Sequence, residues 1–399
     1  MTDESPTGES WLRGRVVTPS AVIADGVVAV SGGVICYVGP TDDVLQRHPG
    51  AEPPRHHGTL LPGLVDMHCH GGGGHAVTTS DPDEALRVVL HHRSAGTTSV
   101  VGSLVTAAPE VLLAQVRALA PLVVAGDLAG LHFEGPFLSE ARRGAQAPEF
   151  LRHPDPALVD DLLAAADGAV TVMTLAPELP GATEVSSRLR AAGVVVALGH
   201  SDATYDVFRD GLRALDGAGL VTHLANGMPA LHHRAAGPVG AALVEAAAGR
   251  ASVELIADGV HLDDGFASLV FAAVEPGRVA LVTDAMAAAG MPDGDYVLGP
   301  QRVQVRDGVA RLAPAGSAAG ETPSIAGGTS HLLEIVARVA SRASVPLVDA
   351  VGAASRTPAR LLGIDDRVGA LAAGLRADVL VVDDALRLER VMHRGEWLT

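Results

Sequence analysis

The stretch Leu61-Pro62-Gly63-Leu64-Val65-Asp66-Met67-His68-Cys69-His70 runs from apolar residues straight into two histidines one residue apart, and the glycines Gly71 to Gly74 follow at once. In an extended segment, residues i and i+2 point to the same side, so His68 and His70 can converge on one object. Paired imidazoles at the end of a buried strand suit a transition-metal ion. The plainer reading is a polar strand end with two solvated histidines; the metal reading is favoured over it, and the rest of the chain strengthens it.

Downstream of this stretch, runs rich in Val, Leu and Thr recur, each followed by an Ala/Leu/Arg-rich stretch of helical composition. The pattern predicts strands near 61–67, 97–105, 127–133, 169–175, 194–199, 219–224, 252–257 and 278–283. Helices are predicted near 82–94, 108–120, 156–166, 183–192, 203–215, 239–248, 263–274 and 328–342. This alternation is that of an α/β chain forming a (β/α)₈ barrel of the TIM type, with insertions. One insertion, Tyr296 to Ala313, reads as a hairpin turning at Asp307-Gly308. Short strand signatures lie at both ends of the chain: Arg15-Val16-Val17, Gly26 to Val30 and Val34 to Gly39 near the start, Gly374 to Asp383 and Leu388 to Met392 near the end. These ends are expected to pair into a small β-sandwich domain, residues 1–59 with 364–399, beside a barrel domain of residues 60–363.

Composition narrows the function. With 399 residues, 48% of them apolar, the chain can bury a large core. A formal net charge of −17 argues against nucleic acid or an anionic membrane as the main partner, while leaving room for a local cationic pocket. The acidic opening Met1 to Ser10 has no basic-then-apolar leader pattern, no apolar run is long enough to span a bilayer, and two cysteines make no disulfide framework. A soluble, cytoplasmic protein is the expectation. There is no lysine, so a Schiff-base lysine and a metal bridge built on a modified lysine are both excluded, and Asp or Glu must supply any carboxylate ligand.

Catalytic residues of such barrels lie just beyond the carboxyl ends of the strands. His68 and His70 follow the first predicted strand, Glu134 the third, His200 the fifth, His223 the sixth, His261 the seventh and Asp284 the eighth. Each residue alone could be a structural histidine or a helix cap, but their joint placement at one face favours a shared site. Imidazoles with one carboxylate at an open site suit Zn²⁺, with Fe²⁺ or Mn²⁺ also possible. Asp284, at the last strand, is placed to take a proton from water and deliver it to a leaving amine, which points to metal-assisted hydrolysis of a C–N or similar bond. His56, His57, His91, His92, His153 and His393 read instead as solvated residues of loops and helix faces.

Over nearly its whole length the chain resembles the amidohydrolase superfamily, and within it the N-acetylglucosamine-6-phosphate deacetylases. The resemblance rests on Pro62 to Gly71, His132-Phe133-Glu134-Gly135-Pro136-Phe137, Gly199-His200-Ser201 and Thr222 to Met228. It extends to Asp258-Gly259-Val260-His261, Thr283-Asp284-Ala285-Met286 and the closing Gly374 to Asp378. It implies Glu134, His200 and His223 as ligands of the main metal and Asp284 as acid/base. His68 and His70 would hold a second ion, giving one or two per subunit. It further implies His261 against sugar or phosphate, Asn226 and Gly227 as phosphate donors, and Arg234 reaching the phosphate of a neighbouring subunit in a homodimer.

Two positions depart from the family pattern. Gly144-Ala145-Gln146 has glutamine where the family usually has histidine, and Ala225 stands where Phe is usual. Ala145 and Gln146 are still expected to line the substrate pocket. The resemblance implies metal-dependent deacetylation of N-acetyl-D-glucosamine 6-phosphate. The two departures keep open a deacylase for another, even unphosphorylated, N-acyl amino sugar or a specialised-metabolite intermediate. A non-enzymatic barrel sensing metal or sugar is the reading of a different class, and Asp284 beside a full ligand set argues against it.

Overall fold

Each apolar run after Gly63 lies alongside the next. The computed structural model describes residues 9–313 and 323–398; the acidic opening, residues 1–8, lies outside the described residues. The strands Leu64–Cys69, Thr97–Val105, Gly130–Glu134, Val170–Leu175, Val195–Leu198, Gly219–Val221, Ala251–Leu255 and Val279–Leu281 form one sheet in that order, every neighbouring pair parallel. Such strands are covered on both faces, which is why they read as continuous apolar runs rather than alternating ones. All of Thr97–Val105, for example, is buried.

The helices between them start where capping chemistry puts them. Asp81, Asp155 and Asp263 accept hydrogen bonds from backbone N–H groups of the helices Pro82–Ser94, Pro156–Ala166 and Asp264–Ala273, and Thr204 does the same for Tyr205–Ala214. Proline opens the first two of these helices and also Pro109–Val124, since that position needs no N–H donor.

The first strand meets the segment after the last strand and closes the ring. Asp284 N–H donates to His68 O (2.9 Å), and His70 N–H donates to Ala285 O (2.8 Å). Asp66, fully buried, accepts from the Thr283 hydroxyl at 2.5 Å and from the His68 amide at 3.2 Å, fixing the register of that seam. Met67, Val101, Val172, Ala197, Leu220, Ile256, Ala280 and Val282 form one buried cluster among these strands, and a larger cluster packs the sheet against its helices.

Two boundaries differ from the sequence reading. The eighth helix starts at Leu332 rather than 328, because Gly328 N–H donates to Asp284 O and ties that residue to the loop after the last strand. His331 and Glu334 then form a capping box that sets the helix start. The insertion is a three-stranded sheet: Gln301–Arg306 and Val309–Leu312 pair as expected, with Gly294–Leu298 added on the other side.

The chain ends do meet. His56–Pro62 runs antiparallel to Val379–Val382, with Leu61 opposite Leu380, inside a seven-stranded sheet that also holds Ser10–Val17, Val22–Ser31, Val34–Pro40, Leu388–His393 and Glu396–Trp397. The sheet folds back on itself, since Ile35 N–H donates to Leu375 O and Ala377 N–H to Gly33 O. Its inner face buries Leu12, Val16, Val28, Ile35, Leu60, Val379, Val381 and Met392.

Asp378 clamps this small domain to the barrel. Its carboxylate accepts from Arg376 (2.7 Å) and the Arg394 amide (2.9 Å) and lies 3.2 Å from His393, while Arg376 also reaches Ser99 of the second barrel strand (3.0 Å). Burial alone would raise the Asp378 pKa, but His393 and Arg376 outweigh it and hold the carboxyl below its ordinary value. The stability this provides is present above the unfolded-state pKa of about 3.9 and is lost as pH falls toward the lower folded-state value. Asp378→Asn should therefore cost about 2–3 kcal/mol at neutral pH. In urea titrations the deficit should shrink at about pH 3; an unchanged neutral-pH midpoint would remove the clamp.

Candidate active site and metal centre

At the carboxyl ends of the strands, His68, His70, Glu134, His200, His223 and Asp284 come together as two adjoining groups: Glu134, His200 and His223 in one, His68, His70 and Asp284 in the other. Within each group the candidate ligand atoms all lie within 4.8 Å of one another. Glu134 joins them. Its Oε1 lies 3.0 Å from His200 Nε2 and 2.9 Å from His223 Nε2, and its Oε2 lies 3.2 Å from His70 Nε2. Asp284 Oδ1 is 3.2 Å from His70 Nε2.

The opposite nitrogens fix the rings. His200 Nδ1–H donates to Arg142 O (2.8 Å) and His70 Nδ1–H to Ser103 O (3.0 Å), so both rings turn Nε2 toward the centre. His68 Nδ1 lies 3.1 Å from Glu254, which also accepts from the His223 amide at 3.1 Å. His200, His223 and Asp284 hold φ of 46°, 26° and 47°, a left-handed backbone that non-glycine residues adopt at a cost. Gly227, φ 59°, is required in the same turn system: a Cβ there would sit 2.8 Å from His200 Nδ1.

This donor set fits a divalent cation. His200 and His223 bring their Nε2 atoms to 3.1 Å, and His68 and His70 theirs to 3.2 Å. Ring nitrogens that face each other at that range need positive charge between them, supplied by protons or by a metal ion. The buried carboxylates make the same demand. Burial opposes charge on His68, yet Asp284, Glu254 and Glu134 lift its pKa to about 9, and Asp284 and Glu134 lift His70 to about 10. Burial likewise pushes the Asp284 carboxyl up, but His68 and His70 hold it at about 2.

Above the carboxylates lies a cavity of about 370 Å³, lined by His70, Glu134, Ala145, Gln146, His200, His223, Asn226, Gly227, His261 and Asp284. Leu298 of the inserted sheet contributes to its wall. His261 is aimed by Asp258, which takes its Nδ1–H at 2.8 Å and accepts from the His261 amide. The Gln146 side chain is committed to the protein at both ends: Oε1 accepts from Thr106 N–H (2.8 Å) and Nε2 donates to Glu134 Oε2 (2.5 Å). Asn226 donates one amide hydrogen to His223 O (3.1 Å). Two expected site residues do not line this cavity: His68 is fully buried, and Arg234 sits in the exposed turn 231–235.

The sequence reading missed Glu254, Asp258 and the buried His132, which is held between Ser103 (2.9 Å) and Thr174 (2.8 Å) and kept neutral by burial. Glu254 is embedded in an apolar run with nothing to mark it; Asp258, three residues before His261, carried the available signal. Of the histidines read as solvated, His92 is fully buried, 2.9 Å from Gly71 O and 3.4 Å from Cys69 Sγ. His91 is half-buried and faces His331 at 3.0 Å.

A (β/α)₈ barrel with histidines and carboxylates gathered at the carboxyl ends of its strands is the architecture of metal-dependent hydrolases, and the profile of the Amidohydrolase family matches residues 59–398: the chain belongs to the amidohydrolase family. Within that family it is 34% identical over 394 residues to the N-acetylgalactosamine-6-phosphate deacetylase of Escherichia coli O157:H7, covering 98% of this chain and 96% of the relative. It is also 34% identical to the N-acetylglucosamine-6-phosphate deacetylase of Vibrio furnissii, covering 97% and 92%. The solved structure of an N-acetyl-D-glucosamine-6-phosphate deacetylase variant from Mycobacterium smegmatis, in complex with N-acetyl-D-glucosamine-6-phosphate, matches with a TM-score of 0.90 at 40% identity, covering 98% and 99% of the two chains.

Glu254→Gln should weaken divalent-ion affinity roughly 10- to 100-fold, as loss of a supporting carboxylate does at metal sites. Metal content after dialysis against graded chelator measures this; retention equal to that of the parent protein would show that Glu254 does not orient His68 for a metal.

Proposed function

We propose that this chain hydrolyses the N-acetyl group of an amino-sugar 6-phosphate, N-acetyl-D-glucosamine 6-phosphate first, giving acetate and the free amine. The observation that carries this reading is Asp284 gathered with His68 and His70 beside the Glu134, His200 and His223 group, on the floor of a cavity large enough for one sugar phosphate. The named activities of the relatives support it.

Glu134, His200 and His223 would hold the principal ion, with His68 and His70 available to a second, and zinc suits this donor set best. When bound, such an ion supplies Lewis acidity and makes hydroxide available near neutral pH. The chain's own residues do the rest. Asp284, ionised and facing the cavity, accepts the proton of the attacking water and returns it to the leaving nitrogen, so the amine departs neutral. His261, oriented by Asp258, presents Nε2 to the sugar or its phosphate. Asn226 and Gly227 line the phosphate end, and Arg234 extends to the site of a second copy in a homodimer, where its planar fork suits phosphate. The cytoplasm is the compartment where such a substrate would be met.

Gln146 gives the site its own character. Because the Thr106 N–H occupies its oxygen, its nitrogen must face Glu134, leaving a single N–H for the cavity. Glutamine here braces Glu134 and can donate to the acetyl oxygen, but it adds no positive charge. That, with the missing aromatic wall at Ala225, favours a second reading in which a different N-acyl amino sugar is the better substrate. The galactosamine-type deacetylase among the relatives makes the epimer the first one to try.

Acetate release from N-acetylglucosamine 6-phosphate, its galactosamine epimer and unphosphorylated N-acetylglucosamine tests the proposal. Strong preference for a phosphorylated sugar is the expected result; with metal bound, turnover of none of the three would overturn it. Asp284→Asn should lower kcat by at least about 10³-fold with metal content intact, and near-parental activity would sink its acid/base role. Arg234→Ala should raise KM about tenfold for the phosphorylated substrate alone, and an unchanged KM would take Arg234 out of phosphate binding.

A further inference from the structure

At the opposite mouth of the barrel, where the fifth to eighth strands begin, lies a cavity of about 420 Å³. Its rim carries the guanidinium groups of Arg190, Arg278 and Arg360, and no carboxylate lines it. In a chain where 46 acidic residues face 29 arginines, three cations around one acid-free cavity are a local reversal of charge. The carboxylates of Asp216 and Glu275, on segments next to the lining, are exposed and outside it.

Elsewhere the chain pairs its arginines. Arg188 meets Asp160, Arg213 and Arg250 share Glu245, and Arg338 meets Asp264. Here it does not. Arg190 donates one N–H to Ala214 O (3.1 Å) and Arg360 one to Gly277 O (2.5 Å), contacts that steady the side chains and leave their remaining N–H groups free. The Arg278 guanidinium has no hydrogen-bond or ion-pair partner among the described residues. Beneath the rim, Ser252 is buried and lines the cavity, while Val195, Leu215 and Leu361 give it an apolar wall. Several guanidinium forks recognise the oxygens of a phosphate, and an apolar wall accommodates the body that carries it.

We infer that this cavity is a second, non-catalytic site that binds a small phosphate monoester through Arg190, Arg278 and Arg360. It is separated from the active site by the length of the barrel strands, about 13–17 Å for four or five residues, and shares no lining residue with it. The fifth and sixth strands, which begin at its rim, lead directly into the loops that carry His200 and His223, so occupancy touches the elements that position those two side chains.

Soaking crystals of the whole protein in tungstate, a phosphate mimic visible by anomalous scattering, tests the site directly. The expected result is tungstate between Arg278 and the other two arginines; tungstate at the carboxyl-end cavity alone overturns the proposal. In solution, Arg278→Gln should weaken binding of the monoester at this site roughly tenfold or more while acetate release is retained, which also shows that the variant is folded. Unaltered binding in the Arg278→Gln, Arg360→Gln double variant would equally overturn it. Adenosine monophosphate and glucose 6-phosphate, each competed against tungstate, identify the source: displacement by the first marks a nucleotide site, displacement by the second a sugar-phosphate site. Displacement by neither rules out a phosphate monoester as the ligand.

Discussion

Negative charge held on buried side chains is the constraint on which the rest of the site depends. Glu134, Asp284, Glu254 and Asp66 are all buried. Carboxylates in that setting must find positive charge or hydrogen-bond donors, or they take up protons. Asp66 has only hydroxyl and amide donors, and burial lifts its pKa to about 6. Glu134 and Asp284 face imidazoles and stay ionised. Every histidine at the centre can be understood as an answer to those two carboxylates. The left-handed backbone at His200, His223 and Asp284 is the local cost of aiming side chains from strand ends into one small volume.

That pairing also explains why so much was legible in the sequence. Strands buried on both faces leave continuous apolar runs, and functional residues must follow the carboxyl end of each run, so His68, Glu134, His200, His223 and Asp284 stand at predictable offsets. What stayed hidden depends on partners remote in the chain. Glu254 sits within a buried strand and acquires its role only when folding brings it to His68, 186 residues away. His92 looks like one more polar residue on a helix face, yet that face packs on Gly71 and Cys69. The added strand Gly294–Leu298 has an exposed, alternating pattern with a single buried residue, too weak a signal to separate from a loop.

Gln146 and Ala225 bear on the site in physically different ways. Gln146 is a neutral amide whose orientation the protein fixes through Thr106 and turns toward Glu134. Its effect falls on the carboxylate that joins the two clusters. Ala225 is a small residue with φ of 76° beside the cavity. One bears on how Glu134 is held and the other on the room in the cavity, so they act on separate parts of the site.

The seam between the first and last strands has a consequence for the order of assembly. Asp66 and Thr283 are 217 residues apart and meet only when the ring closes, and the same closure sets Asp284 beside His68 and His70. Until the final strand is made and docked, the chain holds imidazoles from the first strand with no carboxylate of Asp284 opposite them. A nascent chain can therefore gather most of this cluster early, yet the cluster stays incomplete until the circle closes. An ion held across the seam would then act as a rivet, removing from the unfolded chain the freedom of a loop of that length.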